Sequence, residues 1–309
     1  MSEIVVIAGP TAVGKTAYAI EIAKAFNGEV VSCDSMQLYK YMDIGSAKPD
    51  HEELSQVVHH MVDIIDPRED FSVAAYEKLA REAIRDIFSR DKTPVISGGT
   101  GLYLNSLLYD MDFTDGDISS DYRQELEGLR DSKGSEYLHE LLYEKDPEAA
   151  ARIHPNNTKK VIRALERIHE GEVSVRPFDS VQMETAEYQA VLIGLTRNRE
   201  ELYARINERV DALISRGLID EVKGLMEMGL DASDISMKGI GYKEIIEYLT
   251  GETDINTAID NIKKNTRHYA KRQLTWFRRY DKMKWYNLSE YLNDEDAIKD
   301  ICQWLNKNL

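Results

Sequence analysis

Hydrophobic residues in the first hundred positions form short β-branched runs that alternate with longer amphipathic segments. Residues 4–8 (IVVIA), 29–33 (EVVSC) and 94–97 (PVIS) predict three buried strands. Between them, residues 15–26 and 72–90 carry apolar side chains at helical spacing. Strands that alternate with helices in this order predict an α/β fold with a parallel sheet.

This alternation stops after about residue 114. Residues 115–187 have helical patterns and no convincing strand, and the stretch 110–121 is strongly charged. A strand pattern returns at 188–195 (YQAVLIGL), and helical patterns follow it. We therefore predict a P-loop-type core made of residues 1–114 and 188–309, interrupted by a helical insertion domain.

A glycine-rich turn separates the first predicted strand from the first helix. Its sequence fits the P-loop pattern G-x4-G-K-[ST] and consists of Gly9, Pro10, Thr11, Ala12, Val13, Gly14, Lys15 and Thr16. In such a loop, backbone N–H groups and the helix N-terminus surround a phosphate. We expect Lys15 to neutralise phosphate oxygens and the Thr16 hydroxyl to hold Mg²⁺.

Asp34 and Thr100 each follow a predicted strand directly. Because the carboxyl ends of parallel strands face the ligand crevice, we expect both side chains there. P-loop proteins that act on nucleoside triphosphates usually carry an acid at the end of another buried strand. The third strand ends in residues 97–100 (SGGT) without an acid, so Asp34 is the one acid placed in this way. From the residues alone, a turn-capping role stays open for both side chains.

Composition sets few limits on function. The 309 residues are 42% hydrophobic and 30% charged, as in ordinary globular proteins, and two cysteines are too few for a disulfide framework. No run of 18 apolar residues and no secretory signal occurs, so we expect a cytoplasmic protein without a membrane partner. The net charge of −16 argues weakly against a nucleic-acid partner.

Positive charge is nevertheless concentrated in one C-terminal segment. From residue 263 to 284 there are nine Lys or Arg residues and one acid, Asp281. On a helical wheel of residues 259–280, Lys271 and Arg272 share a basic face opposite the apolar side chains. A solvated helix normally mixes both signs, because like charges four residues apart destabilise it. A polyanion such as a nucleic-acid backbone is the expected partner.

Two smaller basic groups lie on other predicted helices. Three arginines border the apolar stripe of the helix at 202–216: Arg205, Arg209 and Arg216. They could direct guanidinium groups at an anion in an adjoining cleft or pair with surface acids. Three residues at four-residue spacing form a ridge in the insertion: Lys159, Arg163 and Arg167. We expect this ridge and the C-terminal basic face to bind the same large anion.

Several longer sequence motifs, of which the P-loop is one, together form a wider resemblance. They are GPTAVGKT (9–16), DSMQLYKYMDIGSAKP (34–49), HHMVDIIDP (59–67), GGTGLY (98–103), DPEAAARIHPNN (146–157), IGYKE (240–244) and AKRQLTWFRR (270–279). In this order and over nearly the whole chain, the sequence resembles the tRNA dimethylallyltransferase (isopentenyltransferase) family. The cysteines of the C-terminal zinc finger that eukaryotic relatives can carry are missing, so the resemblance is to the bacterial form.

The resemblance implies a reaction. The family transfers a dimethylallyl group from dimethylallyl diphosphate to N6 of the adenine 3′-adjacent to the anticodon in tRNA, and diphosphate is released. It implies that the P-loop, with Arg209 and Mg²⁺, holds the diphosphate of this donor. The anticodon stem-loop of tRNA is then the expected macromolecular partner, and we expect the chain to act as a monomer.

The resemblance also implies roles for residues outside the P-loop. Asp34 accepts the N6 proton, and Thr100 and Arg123 lie near the reacting adenine. The tRNA contacts implied in this way are Asp34, Ser35, Met36, Gln37, Lys159, Lys160, Val161, Ile162 and Arg163, with residues 238–243 as a further contact region. The charge pattern adds Lys271 and Arg272 to this set.

Three other functions stay open on the residues alone. A P-loop small-molecule kinase would also place an aspartate after the second strand, but it would leave the basic helix without a role. A non-catalytic RNA-binding protein would leave Asp34 and Thr100 without one. An adenylate prenyltransferase would share the chemistry, but a mononucleotide acceptor needs neither the helical insertion nor the basic helix.

Overall fold

The computed structural model describes residues 2–110, 120–169 and 184–309. The chain divides into two compact units, of which the first comprises Met1–Leu108 and Thr185–Leu309 and the second comprises Tyr109–Glu184. The predicted boundary between residues 114 and 115 lies outside the described residues. Each unit has a hydrophobic core of its own.

The first unit contains a six-stranded sheet. Its strands are β1 (Glu3–Ala8), β2 (Gly28–Cys33), β3 (His59–His60), β4 (Thr93–Gly98), β5 (Gln189–Thr196) and β6 (Lys284–Asn287). They lie in the order β3-β2-β4-β1-β5-β6, and every neighbouring pair is parallel. The predicted α/β fold with a parallel sheet is confirmed.

The helices are numbered along the chain through both units. They are α1 (Lys15–Ala25), α2 (His51–Gln56), α3 (Val73–Ser89), α4 (Gly101–Leu108), α5 (Ser120–Lys133), α6 (Ser135–Lys145), α7 (Pro147–Arg152), α8 (Thr158–His169), α9 (Arg199–Ser215), α10 (Leu218–Glu227), α11 (Tyr242–Leu249), α12 (Ile255–Phe277) and α13 (Asp294–Leu305). Among the described residues, no helix is both long enough and apolar enough to cross a membrane.

The sequence pattern does not predict the two edge strands. β3 has two residues, which pair with Val30 and Val31 of β2. β6 (KWYN) has four residues at the end of the basic segment and pairs with β5. Strands this short carry too few positions to show a periodic pattern, so their pairing depends on the neighbouring strand.

Local sequence explains the central elements of the first unit. β1 consists mainly of β-branched residues that are buried along its length, as expected of a strand with parallel neighbours on both sides. The Ser72 hydroxyl caps α3 by accepting the N–H of Ala75 at 3.1 Å. The core joins the sheet to α1, α9, α12 and α13.

One glycine brings the ends of β2 and β4 close together. A Cβ at Gly98 would lie 2.0 Å from the carbonyl oxygen of Cys33, so only glycine allows this approach. The N–H of Thr100 then donates to that carbonyl at 3.1 Å. The close approach therefore places Asp34, the residue after Cys33, beside the turn that contains Thr100.

The second unit is built from α5 to α8. Its core contains leucines from α5 and α6 and the apolar side of α8. Asp146 caps α7 by accepting the N–H of Ala149 at 2.9 Å, and Pro147 occupies the first helical position, where its missing N–H costs nothing.

Candidate active site

The P-loop between β1 and α1 borders a cavity of about 390 Å³, called here the P-loop cavity. Its charged lining comprises four basic and three acidic residues: Lys15, Lys48, Arg209, Arg216, Asp34, Asp50 and Glu53. Asp50 and Glu53 form the reciprocal capping box of α2. The Lys48 ammonium bonds to the carboxylates of Asp43 and Asp63. The charged groups of Asp50, Glu53 and Lys48 therefore already have partners within the protein.

Lys15 is held inside the loop that it follows. Its ammonium donates to the carbonyl oxygens of Gly9 at 3.0 Å and Pro10 at 2.9 Å. Burial lowers the pKa of Lys15 to about 8, an effect that Asp34 opposes and Arg209 reinforces. An anion in the cavity would stabilise the charged form, so the site favours a negatively charged ligand.

Two arginines of the first unit hold the P-loop from outside. Arg205 Nε donates to the carbonyl of Ala12 at 3.1 Å, and Arg197 Nε donates to the carbonyl of Val13 at 3.1 Å. The N–H of a trans peptide points away from its C=O, so fixing the Val13 carbonyl also fixes the direction of the Gly14 N–H. The P-loop is therefore preorganised by side chains from the segment around the start of α9.

A second cavity of about 420 Å³ adjoins the first and is called here the apolar cavity. Its hydrophobic and aromatic lining comprises Met36, Tyr39, Phe71, Tyr103, Ile206, Val210, Leu213, Ile235, Ile240, Ile262 and Tyr269. Five residues line both cavities: Thr11, Asp34, Arg209, Leu213 and Tyr269. The anion-binding loop and the apolar space therefore meet at one carboxylate, one guanidinium group and one aromatic ring.

Asp34 is presented to this junction by a tight turn after β2. Its Oδ1 atom accepts the N–H of Met36 at 2.9 Å. The Thr100 hydroxyl accepts the N–H of Ser35 at 3.0 Å and lies beside the Tyr269 hydroxyl. Burial raises the pKa of Tyr269, so its hydroxyl stays protonated. Thr100 lines neither of the two cavities and supports Ser35, which lines the apolar cavity.

The donor set of the P-loop cavity fits Mg²⁺ that binds together with a phosphate. Among the described residues, no group of three or more His, Cys, Asp or Glu side chains is placed to hold a metal ion. Thr16 lines the P-loop cavity and offers one hydroxyl oxygen. Mg²⁺ usually keeps several waters and needs few protein ligands besides substrate phosphates, so this sparse set is sufficient.

Comparison with known proteins identifies the family of this chain. The sequence model of the IPP transferase family matches residues 37–280, and that of isopentenyl transferase matches residues 2–66. The chain belongs to the IPP transferase family. The tRNA dimethylallyltransferase of Alkaliphilus oremlandii is 53% identical over 300 residues, covering 97% of this chain and 96% of that protein.

Solved structures similar to this IPP transferase cover both of its units. The full-length tRNA isopentenylpyrophosphate transferase from Bacillus halodurans matches with a TM-score of 0.75 and 44% identity, over 99% of this chain and 96% of that one. A eukaryotic dimethylallyltransferase acting on tRNA matches with a TM-score of 0.81 and 28% identity, over 99% of this chain and 80% of that one.

The first unit of this IPP transferase brings most of the expected site residues together. Ser35 and Met36 line the apolar cavity, and Gln37 lines the P-loop cavity. Arg272 lines the apolar cavity, whereas Lys271 is exposed on α12. The expected contact region at 238–243 supplies four of its residues, 238–241, to the apolar cavity. Their contacts with tRNA stay a prediction.

The expected contact residues of the second unit differ in exposure. Lys159, Lys160 and Arg163 are exposed on α8. Val161 and Ile162 lie in the core of that unit with 0% and 5% exposure, because they occupy its apolar side. Within residues 159–163, only the three basic side chains are therefore exposed for contact with tRNA.

Arg123 also lies in the second unit, on α5. Its guanidinium group forms two hydrogen bonds, of 2.6 and 2.9 Å, with the buried carboxylate of Glu166. This pair gives Arg123 a stabilising role in the helical unit. Its expected place near the reacting adenine stays a prediction.

The sequence analysis missed Gln273, which connects the two loops of the site. Its Oε1 atom accepts the N–H of Thr11 at 2.9 Å, and its Nε2 atom donates to the carbonyl of Gly99 at 2.9 Å. Ala270, Gln273 and Phe277 occupy buried positions of α12 at helical spacing. A polar residue within this buried stripe is the signal that could have identified it.

Proposed function

We propose that this IPP transferase transfers the dimethylallyl group of dimethylallyl diphosphate to N6 of the adenine 3′-adjacent to the anticodon of tRNA, acting as a monomer in the cytoplasm. The observation that carries the proposal is the meeting of the P-loop cavity and the apolar cavity at Asp34 and Arg209. The two cavities suit a donor whose charged head lies in the P-loop cavity and whose apolar tail lies at this junction, which leaves the rest of the apolar cavity to the acceptor base. The names of the curated relatives support tRNA as the acceptor.

The P-loop cavity binds the diphosphate of the donor in this proposal. As the allylic C–O bond breaks, its electron pair leaves with the diphosphate, and negative charge grows there. The Lys15 ammonium, the Arg209 guanidinium and the loop N–H groups stabilise this charge. Lys15 exchanges the carbonyls of Gly9 and Pro10 for phosphate oxygens when the donor binds. Mg²⁺ held by the Thr16 hydroxyl would neutralise further charge on the diphosphate.

Asp34 acts as the general base for the acceptor. The lone pair of adenine N6 is delocalised into the ring, so N6 is a poor nucleophile until it loses a proton. As the bond between N6 and the allylic carbon forms, the N6 proton passes to the Asp34 carboxylate. One carboxylate oxygen accepts the Met36 N–H and fixes the orientation of the group, while the other takes the proton.

Exposed basic residues bind the tRNA backbone. The exposed basic face of α12 includes Lys271 and Arg272, and α8 of the second unit exposes Lys159, Lys160 and Arg163. These cations supply affinity without reading the base sequence. The target adenine has to leave its stack to reach Asp34, as in other enzymes that modify a base.

The deciding experiment is transfer of labelled dimethylallyl groups into unmodified tRNA, with AMP as a competing acceptor and ATP as a competing donor. We expect label at N6 of one anticodon-loop adenine and none in AMP. Label in AMP would instead indicate an adenylate prenyltransferase. Consumption of the ATP γ-phosphate with a small-molecule acceptor, without label in tRNA, would indicate a kinase.

A further inference from the structure

One carboxylate outside the cavities holds the loop that follows Asp34. Glu221 on α10 accepts backbone N–H groups through both of its oxygens. Oε2 accepts from Asp43 at 2.8 Å and from Ile44 at 2.6 Å, and Oε1 accepts from Gly45 at 2.9 Å. Three consecutive N–H groups that converge in this way form an anion-binding nest, which Glu221 occupies.

Tyr242 at the start of α11 completes the attachment. Its hydroxyl donates to Glu221 Oε1 at 2.8 Å and accepts the N–H of Ser46 at 3.1 Å. The side chain is fully buried, and burial raises its pKa well above the usual value, so the hydroxyl remains a donor. A Cβ at position 45 would lie 2.5 Å from the Tyr242 ring, so Gly45 is needed for the loop to rest on it.

The loop held in this way forms part of the apolar cavity. Gly45 and Ser46 line it from one segment, and residues 238–241, which directly precede Tyr242, line it from another. A Cβ at Gly239 would lie 2.6 Å from the terminal methyl of Met36, so the turn 238–241 packs closely against the residues that follow Asp34. Glu221 and Tyr242 therefore tie together two walls of the apolar cavity without lining it themselves.

We propose that Glu221 and Tyr242 are positioning residues for the acceptor: they set the distance between the loop 43–46 and the turn 238–241, and so the fit of the target base. This inference rests on the function proposed above. Neither side chain lines the P-loop cavity, and the wall residues that they hold, Gly45, Ser46 and 238–241, lie outside the junction of the two cavities, where the donor tail is placed. Their loss should therefore weaken use of tRNA and leave use of the donor intact.

Two conservative substitutions test the pair. Tyr242→Phe keeps the ring beneath Gly45 and removes the hydroxyl, which leaves the Ser46 N–H without its acceptor. Glu221→Gln keeps the size of the side chain but turns an amide N–H₂ toward groups that are all donors. Matched controls are Tyr248→Phe on α11 and Asp220→Asn, which replaces the exposed neighbour of Glu221 on α10.

The measurement is steady-state transfer with each substrate varied in turn, together with the melting temperature of each variant. For Tyr242→Phe and Glu221→Gln we expect the KM for tRNA to rise about tenfold, as the loss of one or two buried hydrogen bonds implies. We expect kcat and the KM for dimethylallyl diphosphate to stay within about twofold, because the P-loop cavity and its junction with the apolar cavity are unchanged. Both controls should behave like the unsubstituted chain.

Two results would overturn the positioning role. Equal increases of both KM values, accompanied by a fall in melting temperature, would show that the pair only stabilises the fold. Unchanged kinetics in both variants would show that the loop 43–46 keeps its position without the hydrogen bonds of Glu221 and Tyr242. The unsubstituted chain is assayed first, because absence of transfer to tRNA would overturn the proposed function itself and this inference with it. Transfer by the unsubstituted chain with normal kinetics in both variants would overturn this inference alone.

Discussion

The P-loop cavity and the apolar cavity are assembled in different ways. The phosphate-binding part comes from one contiguous turn, residues 9–16, between a strand and the helix that follows it. The apolar cavity takes its lining mainly from four separate segments: 34–46, 206–213, 235–241 and 262–272. The P-loop takes its turn from its own contiguous residues, and Arg197, Arg205 and Gln273 support it, whereas the walls of the apolar cavity are brought together only by contacts between distant segments. Outside those three supports, substitutions remote from the substrates should therefore affect the acceptor more than the donor.

The largest expected effect lies where the two cavities meet. Asp34→Asn keeps an oxygen that can accept the Met36 N–H but removes the base, so we expect the single-turnover rate to fall by about 10² to 10⁴. Binding of both substrates should change by only a few-fold, since neither cavity loses its shape. Rapid-quench transfer assays and equilibrium binding of tRNA measure the two effects separately.

A matched control for Asp34 is Glu53→Gln, which removes a carboxylate from the P-loop cavity but not from the junction. It should retain most of the turnover. Normal turnover in Asp34→Asn would contradict the assignment of Asp34 as the base. A loss of donor affinity equal to the loss of rate would assign it to donor binding.

The basic face of α12 tests the acceptor side alone. Charge reversal in the double variant Lys271→Glu, Arg272→Glu should weaken tRNA binding by roughly 10² at 0.1 M salt. It should also make the plot of log binding constant against log salt concentration less steep, by about two in its slope (called here the salt slope). Donor binding should not change, because neither Lys271 nor Arg272 lines the P-loop cavity or its junction with the apolar cavity. Tracer binding of tRNA at several salt concentrations gives the slope.

The control for this pair is Lys299→Glu with Lys307→Glu, which changes the net charge equally on exposed positions at and beyond α13. If this control lowers the slope as much as the α12 variant does, the effect comes from total charge. An unchanged slope in the α12 variant would refute the assignment of this face to tRNA.

Gln273 tests the connection between the P-loop and the turn at 98–100. Gln273→Met loses both hydrogen bonds, to Thr11 and to Gly99, and should reduce kcat/KM by about tenfold for both substrates. Gln273→Glu keeps an acceptor for Thr11 but loses the donor to Gly99 and adds a negative charge to the lining of the P-loop cavity, so it should raise the donor KM more than Gln273→Met does. Kinetics with each substrate varied in turn distinguish these outcomes, and Gln303→Met at an exposed position is the control. Identical donor KM values in the two variants would contradict binding of the diphosphate beside Gln273.

Lys15 gives the smallest expected effect, and it is confined to the donor. Because burial holds its pKa near 8 and a diphosphate raises that pKa, donor binding should take up a proton above pH 8 but not at pH 7. The donor affinity should fall about fivefold from pH 8 to pH 9, as the neutral fraction of free Lys15 increases. Calorimetry in buffers of different ionisation enthalpy measures the proton uptake.

The control for Lys15 is Lys15→Arg, whose side chain stays charged throughout this range. Its donor binding should lose the proton uptake between pH 8 and pH 9. Proton uptake of the same size in this variant would assign the linkage to another group.

Much of the fold of the first unit could be predicted from local sequence patterns. The β-branched runs of β1, β2 and β4 and the turn at 9–16 are contiguous signals, and each is confirmed as an element of the fold. The short edge strands β3 and β6 carried no such signal, since a strand of two to four residues is stabilised by its neighbour rather than by its own sequence. The resemblance placed Asp34 and Arg209 in one site, but the residues alone left their roles open.

The sequence by itself determined the parallel α/β core, the P-loop and the concentration of positive charge on α12, because these features arise from neighbouring residues and helical periodicity. Tertiary structure alone decided how the separate segments of the site are held together. The bonds from Gln273 to Thr11 and Gly99, and from Glu221 to the loop 43–45, join residues more than 170 positions apart. No local pattern encodes such pairs, since each partner is an ordinary polar or backbone group until folding brings the two within hydrogen-bond distance.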